Sequence, residues 1–494
     1  MATVSVPLTL SYDTRGVASY SAMQNGKDQR RVNCHYEITR TAVDTQPDIA
    51  LARRPGVTVD SNTYGATTQS IYLVGRDPNS SWDPTPWAIV KDGSDNKVVS
   101  SATAVTLLTD ATYYPRFISY TNISGTKYAI VQLQNKADPA TAPAQKIYYA
   151  ASINGWSQMT LNGVAARGSM EHLDGFGFIM DDDSRIYQTS LNALTQVVST
   201  DYISKSNTQY PAQGIIKHGA RILAFTTHDV EVFRNAGNAT GSVLERVQNS
   251  ESEIGLNTLA GGGTSIDGKT NYYTRVGDLS FFVGRYGGGK NDASLIAFDG
   301  NRFAKISKPY EDTLLSSTTL YSISTVTFGG KVAVAISTTA PTATTQRWLM
   351  FFPDINEWFE WESTVFGPRN NGLYYAGHGT GLSNKLYIFD AIDQWTDAGT
   401  NFTMTAQFRL PFSDLNRKTM YRCGVIADTV SSSQNLAVSF SNDDGANWTT
   451  ARNIDISTGR KELYRCGTFR ERFVRLTHTD TGEVRLRRFY AEVR

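Results

Sequence analysis

An all-β fold is predicted, a β-propeller of about six blades with an N-terminal arm and a small C-terminal β-sandwich, and three observations predict it. Short runs of Val, Ile, Tyr, Phe and Thr alternate with Gly/Asn/Asp/Ser clusters almost throughout the 494 residues. Amphipathic helical patterns are nearly absent. A hairpin followed by an aromatic residue recurs along the middle of the chain at an irregular interval of roughly 40 to 65 residues, and four-stranded units at periods near 40 to 50 are the mark of propeller blades. Five or seven blades, or a tandem of β-sandwiches, fit the same pattern less closely.

The elements follow in order. Residues 1–65 are polar, with basic pairs at Arg30-Arg31 and Arg53-Arg54, and read as an arm that packs on something else. Residues 66–400 hold the repeat. "KYAIVQL" precedes Lys146–Trp156, "LSFFVGR" precedes Ser294–Phe303, "KVAVAIS" precedes Arg347–Trp358 and "LYYAGH" precedes Lys385–Trp395. In each, an aromatic arrives about ten positions after the second strand opens, which is a strand plus a turn. Two hairpins, "GFGFIMDDDSRIYQTS" and "RILAFTTHDVEVF", share the pattern without the aromatic. Residues 401–494 give five alternating strands, read as the sandwich.

Charge and motifs exclude more than they assign. The net charge is +1, with 19% charged residues, which argues against a binder held to nucleic acid by counterion release. Cys34, Cys423 and Cys466 are odd in number and far apart in sequence, and read as reduced, buried thiols. The six histidines are scattered singly, without a metal-ligand spacing. No secretory signal is read at the start, and no apolar run approaches the ~20 residues of a membrane span.

Three stretches invite catalytic readings, and the plainer reading of each is structural. Ser441 to Trp448 (Ser-Asn-Asp-Asp-Gly-Ala-Asn-Trp) nearly matches the Asp-box of sialidases, yet it is foremost a hairpin turn. Asp181-Asp182-Asp183 falls at a hairpin tip. The glycine-rich segments at Ala260 and Gly284 lack a phosphate-loop pattern. A glycosidase would need two facing carboxylates, or a Tyr nucleophile with its carboxylate and an arginine cluster. No such constellation is read, and the chain is expected to be no enzyme and to hold no cofactor and no metal.

The arm carries one resemblance. In "RRVNCHYEITRTAVDTQPDIALARRPGV", an Asn-x-x-x-Glu segment (Asn33 to Glu37) precedes Arg54-Pro55-Gly56. This resembles the start of the packaged-DNA stabilisation, or tail hub (nozzle), proteins of short-tailed bacteriophages. The resemblance implies a virion protein of the tail, assembled in the bacterial host cytoplasm as a ring of six copies below the portal and its adaptor ring. Such a ring bears the tail needle, fibres or tailspikes. It retains packaged DNA and conducts it during ejection, without sequence-specific binding.

The residues singled out for interfaces are Arg470, Arg472, Arg475, Arg485, Arg487 and Arg488, which crowd the final strands. They read either as a solvated strand face or as a salt-bridge seam to a neighbouring subunit or to the adaptor. A phage fibre or baseplate component, a glycan-binding propeller and, last, a glycoside hydrolase stand as the competing readings.

Overall fold

The computed structural model describes residues 2–7, 29–39, 48–65, 70–80, 85–101, 103–135, 145–257, 272–286, 293–317, 320–338, 345–370, 372–377, 384–389, 394–410, 412, 416–428, 433–457 and 461–494. They are almost entirely β, and they fall into two compact units. One comprises Met1–Thr58, Arg347–Ser363 and Phe389–Arg494; the other comprises Val59–Gln346 and Thr364–Ile388.

The second unit is a β-propeller arrangement of six blade sheets. Four are consecutive antiparallel meanders of four strands each, over 70–109, 113–158, 166–204 and 212–246. The fifth, over 254–305, has five strands. The sixth is built on Phe366–Asn370, Tyr374–Gly377 and Leu386–Phe389. The chain leading into the first blade runs along this last sheet: Asp60 N–H donates to the Leu386 carbonyl (2.8 Å) and Tyr64 N–H to the Asn384 carbonyl (2.9 Å). A hairpin, Leu320–Phe328 with Lys331–Thr338, meets the fifth blade where the Thr325 and Thr274 hydroxyls lie 2.6 Å apart.

Blades cannot bury their own faces, so neighbours supply the core. Between the first two blades Trp87, Leu73, Ile89, Val98, Val131 and Leu133 form one buried cluster. Phe178, Met180, Ile186, Ile215, Ile222 and Phe233 do the same between the third and fourth. First strands of successive blades run beside one another. In the first four blades that strand carries a register shift, at Ile71/Leu73, Pro115/Phe117, Arg167/Glu171 and Ala212/Gly214. A β-bulge turns the extra residue away from the ladder and re-aims its side chain.

The first unit is a β-sandwich. One sheet joins Cys34–Thr39, Asp48–Arg53, Arg485–Val493, Lys418–Ala427 and Lys461–Tyr464, with Ala2–Pro7 paired along Arg485–Val493. The other carries Gln29–Val32, Met404–Arg409, Phe473–His478 and Asn435–Ser441. Burial alternates strictly along Met404–Arg409, as the strand period of two requires. Phe408 and Phe489 meet edge to face between the sheets (5.2 Å).

Two sequence readings meet a different grouping here. The arm supplies strands to both sheets of the sandwich, where Arg30, Arg31 and Arg54 meet carboxylates. Arg347–Ser363, read as part of the repeat, clusters with the sandwich. Strand Glu357–Ser363 pairs in parallel with Gln29–Val32, and its Glu357 and Glu360 are buried. Arg31 reaches Glu357 at 2.6 Å, and Arg30 and Arg347 reach Glu360 at 3.1 and 3.5 Å. Alternation hides this in the sequence, since an inward Glu and an outward Glu look alike.

Ser441–Trp448 is a hairpin turn, as its residues suggest. Gly445 N–H donates to Ser441 Oγ (2.9 Å), Asn447 N–H to Asp443 Oδ1 (2.9 Å) and Trp448 Nε1–H to the Gly445 carbonyl (2.9 Å). Hydrogen bonds from the Asn447 backbone first, then from the Ser441 hydroxyl and the Asn447 side chain, hold the exposed Asp443 carboxyl down to about 2. Asp182 pairs with Arg167, and Asp183 with Arg185 at 3.2 Å, so the acidic tip is an ion-paired turn. The Ala260 segment and most of the Gly284 segment lie outside the described residues.

Candidate functional site

Two buried polar assemblies stand out, one in each unit. In the propeller the bulges converge. Gly168 and Ser169, in the bulge of the third blade, lie against Gly214, in the bulge of the fourth. A Cβ on Gly168 would come 2.7 Å from Gly214 Cα, and the Gly168 φ of +71 is itself a glycine preference. Gln132 and Gln145 of the second blade each donate to the Gly168 carbonyl (3.3 Å), and Met170 N–H donates to Gln132 Oε1 (2.7 Å). Tyr272, at the fifth blade, accepts from Ser169 N–H (2.9 Å) and donates to the Ile215 carbonyl (2.7 Å).

Glu171 sits at the centre of this cluster. Its carboxylate accepts from Ser169 Oγ (2.6 Å) and from Tyr273 OH (2.8 Å). Burial pushes the carboxyl up to about 7, against the two hydrogen bonds and nearby Lys217. His172 beside it is held neutral, pushed down to about 3 by burial and Lys217. Arg116, the bulged residue of the second blade, is buried and pushed down to about 10 by desolvation. Chemically this is a carboxyl able to change protonation near neutral pH, hydrogen-bonded to a serine hydroxyl and a phenol, with the Lys217 cation acting on it.

The sign of its pH dependence follows. The folded value lies above the ordinary 4.5, so the fold keeps a proton that the unfolded chain has lost. Stability is therefore greatest below about pH 4.5 on this account, falls as pH rises to about 7, and is level beyond. The upper bound of the change is about 3 kcal/mol. Glu171→Gln is expected to flatten that slope in thermal melts between pH 5 and 8. An unchanged slope would show that Glu171 does not titrate in this window.

The sandwich holds a buried arginine node. Arg54 donates to both oxygens of Asp397 (2.8 and 2.6 Å), to Asn33 Oδ1 (3.1 Å) and to the Pro55 and Glu362 carbonyls (3.0 and 3.1 Å). Ser363 Oγ donates to Asp397 Oδ2 (2.8 Å). The guanidinium lies 3.7 Å from the Phe402 ring centroid, and Trp361 Nε1–H donates to the Cys34 carbonyl (2.8 Å). Asn33 adopts φ +53, which lets its Oδ1 also accept from Glu362 N–H (2.8 Å). Gly56 is required next to it, because a Cβ there would lie 2.1 Å from the Thr396 carbonyl oxygen.

The sequence-predicted arginines divide. Arg472 is buried, donating to the Cys466 and Thr468 carbonyls (2.5 and 3.1 Å) and to Asn442 (3.0 Å) and stacking on Phe469. Arg475 stacks on Trp448 at 3.7 Å. Arg485 pairs with Glu37 and Glu483 (2.5 and 2.7 Å), and Arg487 with Asp428 (2.6 Å). Arg470 and Arg488 are exposed. The six are thus not one surface.

Sequence reasoning missed Glu171, Arg116, Tyr272 and the Arg54–Asp397 pair. Arg54-Pro55-Gly56, quoted from the sequence only for its resemblance, falls on that pair. Among the described residues no group of three or more His, Cys, Asp or Glu is placed to hold a metal ion, and no helix is long and apolar enough to cross a membrane.

No family model matches the chain, and no curated protein matches it. Among solved structures it is similar to BamB from Moraxella catarrhalis (10% identity, TM-score 0.38, covering 67% of this chain and 100% of that one). It is similar to the computationally designed Ika8 protein (10%, TM-score 0.35, 73% and 100%). It is also similar to an ancestral GH74 enzyme (10%, TM-score 0.37, 73% and 57%). At these scores nothing passes from those proteins to this chain.

Proposed function

We propose that this chain is a structural virion protein of a short-tailed phage, forming a tail hub or nozzle ring that retains packaged DNA and conducts it during ejection. One observation carries the reading. Asn33, Arg54 and Gly56, which bear the resemblance in the arm, are tied together in the buried node, where each has a structural task. A rigid architectural protein uses a motif in this way. The ring is a homo-hexamer seated on the adaptor and portal, with needle, fibres or tailspikes below. The chain catalyses no reaction and binds no cofactor.

Mass photometry of the protein mixed with the portal–adaptor assembly of its source virus tests this. About six added copies are expected, and no association at several salt concentrations would overturn it. Of the six arginines, Arg470 and Arg488 are the informative positions, since Arg485 and Arg487 already have partners inside the chain. Reversing both charges, Arg470→Glu with Arg488→Glu, is expected to weaken assembly roughly tenfold or more at moderate salt. Undiminished assembly would remove them from the interface.

A glycan-binding propeller is the second reading, favoured by the exposed ring of Tyr202 on the third blade. Affinity on a glycan array, lost in Tyr202→Ala, would move the assignment there.

A further inference from the structure

We propose that Cys423 and Cys466 are a redox pair, two thiols that a hydroperoxide converts to an intrachain disulfide. They lie 43 positions apart in sequence, and their sulfurs are 3.6 Å apart in the sandwich. Both are buried and free.

The backbone makes the approach specific. Cys423 lies on Lys418–Ala427, opposite Leu463 of the neighbouring strand. The chain then turns through Arg465 and Gly467, both at positive φ (57 and 84). Three backbone hydrogen bonds hold the turn on the strand: Arg465 N–H to the Tyr421 carbonyl (2.7 Å), Cys466 N–H to that of Met420 (3.0 Å) and Met420 N–H to that of Gly467 (2.9 Å). Arg472 donates to the Cys466 carbonyl from the other side (2.5 Å). Cys466 is thereby delivered to Cys423 on a pinned turn. Bonding requires the sulfurs to close by about 1.5 Å, toward a normal S–S length of about 2.05 Å.

The two thiols differ. A hydrogen bond from Cys423 lowers the Cys466 thiol, aided by Arg452 and Arg472, while the same contact and burial raise Cys423. Cys466 is therefore the nucleophile and Cys423 the resolving thiol. With hydrogen peroxide, the Cys466 thiolate attacks one oxygen. An S–O bond forms, the O–O bond breaks, and the departing hydroxide takes a proton to become water. The Cys423 sulfur then attacks Cys466 and gives up its proton. The S–S bond forms as the S–O bond breaks, and the second oxygen leaves as water. Two thiols lose two electrons, and one peroxide gains them.

Cys34 is the internal control. It is buried elsewhere in the sandwich, and burial pushes its thiol well above the usual range. The test treats the native full chain with hydrogen peroxide, alkylates it in denaturant and maps its peptides. Titratable thiols are expected to fall from three to one, with a Cys423–Cys466 linked peptide and a mass about 2 Da lower. Dithiothreitol restores all three. The oxidised sandwich is expected to melt roughly 5 °C higher than the reduced one. Cys466→Ser should abolish the linked peptide, but the wild-type result stands without it.

Three thiols surviving a dose that oxidises the urea-unfolded chain would overturn the proposal. So would disulfides that include Cys34 or that join two chains.

Discussion

Asp397→Ala is expected to destabilise the sandwich unit by about 3–5 kcal/mol, because it leaves the Arg54 guanidinium buried without its counter-charge. Arg54 is 0% exposed and Asp397 2% exposed. Water therefore cannot replace the two hydrogen bonds that the carboxylate accepts from Arg54, nor the one from Ser363. A chain of two units need not unfold in one step, so the loss is best read by hydrogen exchange at amides of Asp48–Arg53 and Met404–Arg409. Adding Arg54→Met to Asp397→Ala is expected to recover part of the loss, since an apolar pair tolerates burial better than a lone charge. A loss below about 1 kcal/mol in the single variant would mean that solvent reaches the pair.

In the propeller unit the largest effect is expected from Trp87→Ala, a loss of about 3–5 kcal/mol. Trp87 is 1% exposed and fills the space between the first and second blades, against Leu73, Val98, Val131 and Leu133, with Trp156 at 5.7 Å. Removing the indole leaves a cavity whose walls belong to two different sheets, so neither can collapse alone. Exchange should accelerate at Pro86–Asp92 and Thr126–Asn135 together. Acceleration confined to the first blade would show that blades unfold singly and that the cluster does not couple them. Trp87→Phe, which keeps a ring in place, is expected to cost less than half as much.

Strand runs and turns were legible because they depend on neighbours in sequence. "KIYYAASINGW" yields the strand Gln145–Ala150, and Trp156 follows its turn. The hairpin at Ser441–Trp448 was legible for the same reason, since Asn, Asp and Gly state their turn chemistry locally. What could not be read depends on distance. Arg54 and Asp397 are 343 positions apart, and nothing at either position names the other. Cys423 and Cys466 looked unrelated by spacing, yet a pinned turn brings them together.

Glu171 was missed for a different reason. The alternation that marks inward residues breaks at the Arg167/Glu171 shift, so a period-two reading misplaces its face. Strand Glu357–Ser363 was assigned to the repeat because Trp358 arrives as the aromatic after the strand that opens at Arg347, while its buried acids answer to arginines far back in the arm.

The pairing of Ala2–Pro7 with Arg485–Val493 sets a timetable for biosynthesis. Each of the first four blades is made of residues close together in the chain and can take shape as it leaves the ribosome. Among the described residues the first strand pairs with the last, which at about 5–20 residues per second is made roughly 25–100 s later. Through that interval an unpaired β-edge is exposed to the cell. Newly made chains carrying blades but no C-terminal strands are therefore the species on which chaperones, proteases and stray strand pairing act, and slowing the ribosome late in the message lengthens their life.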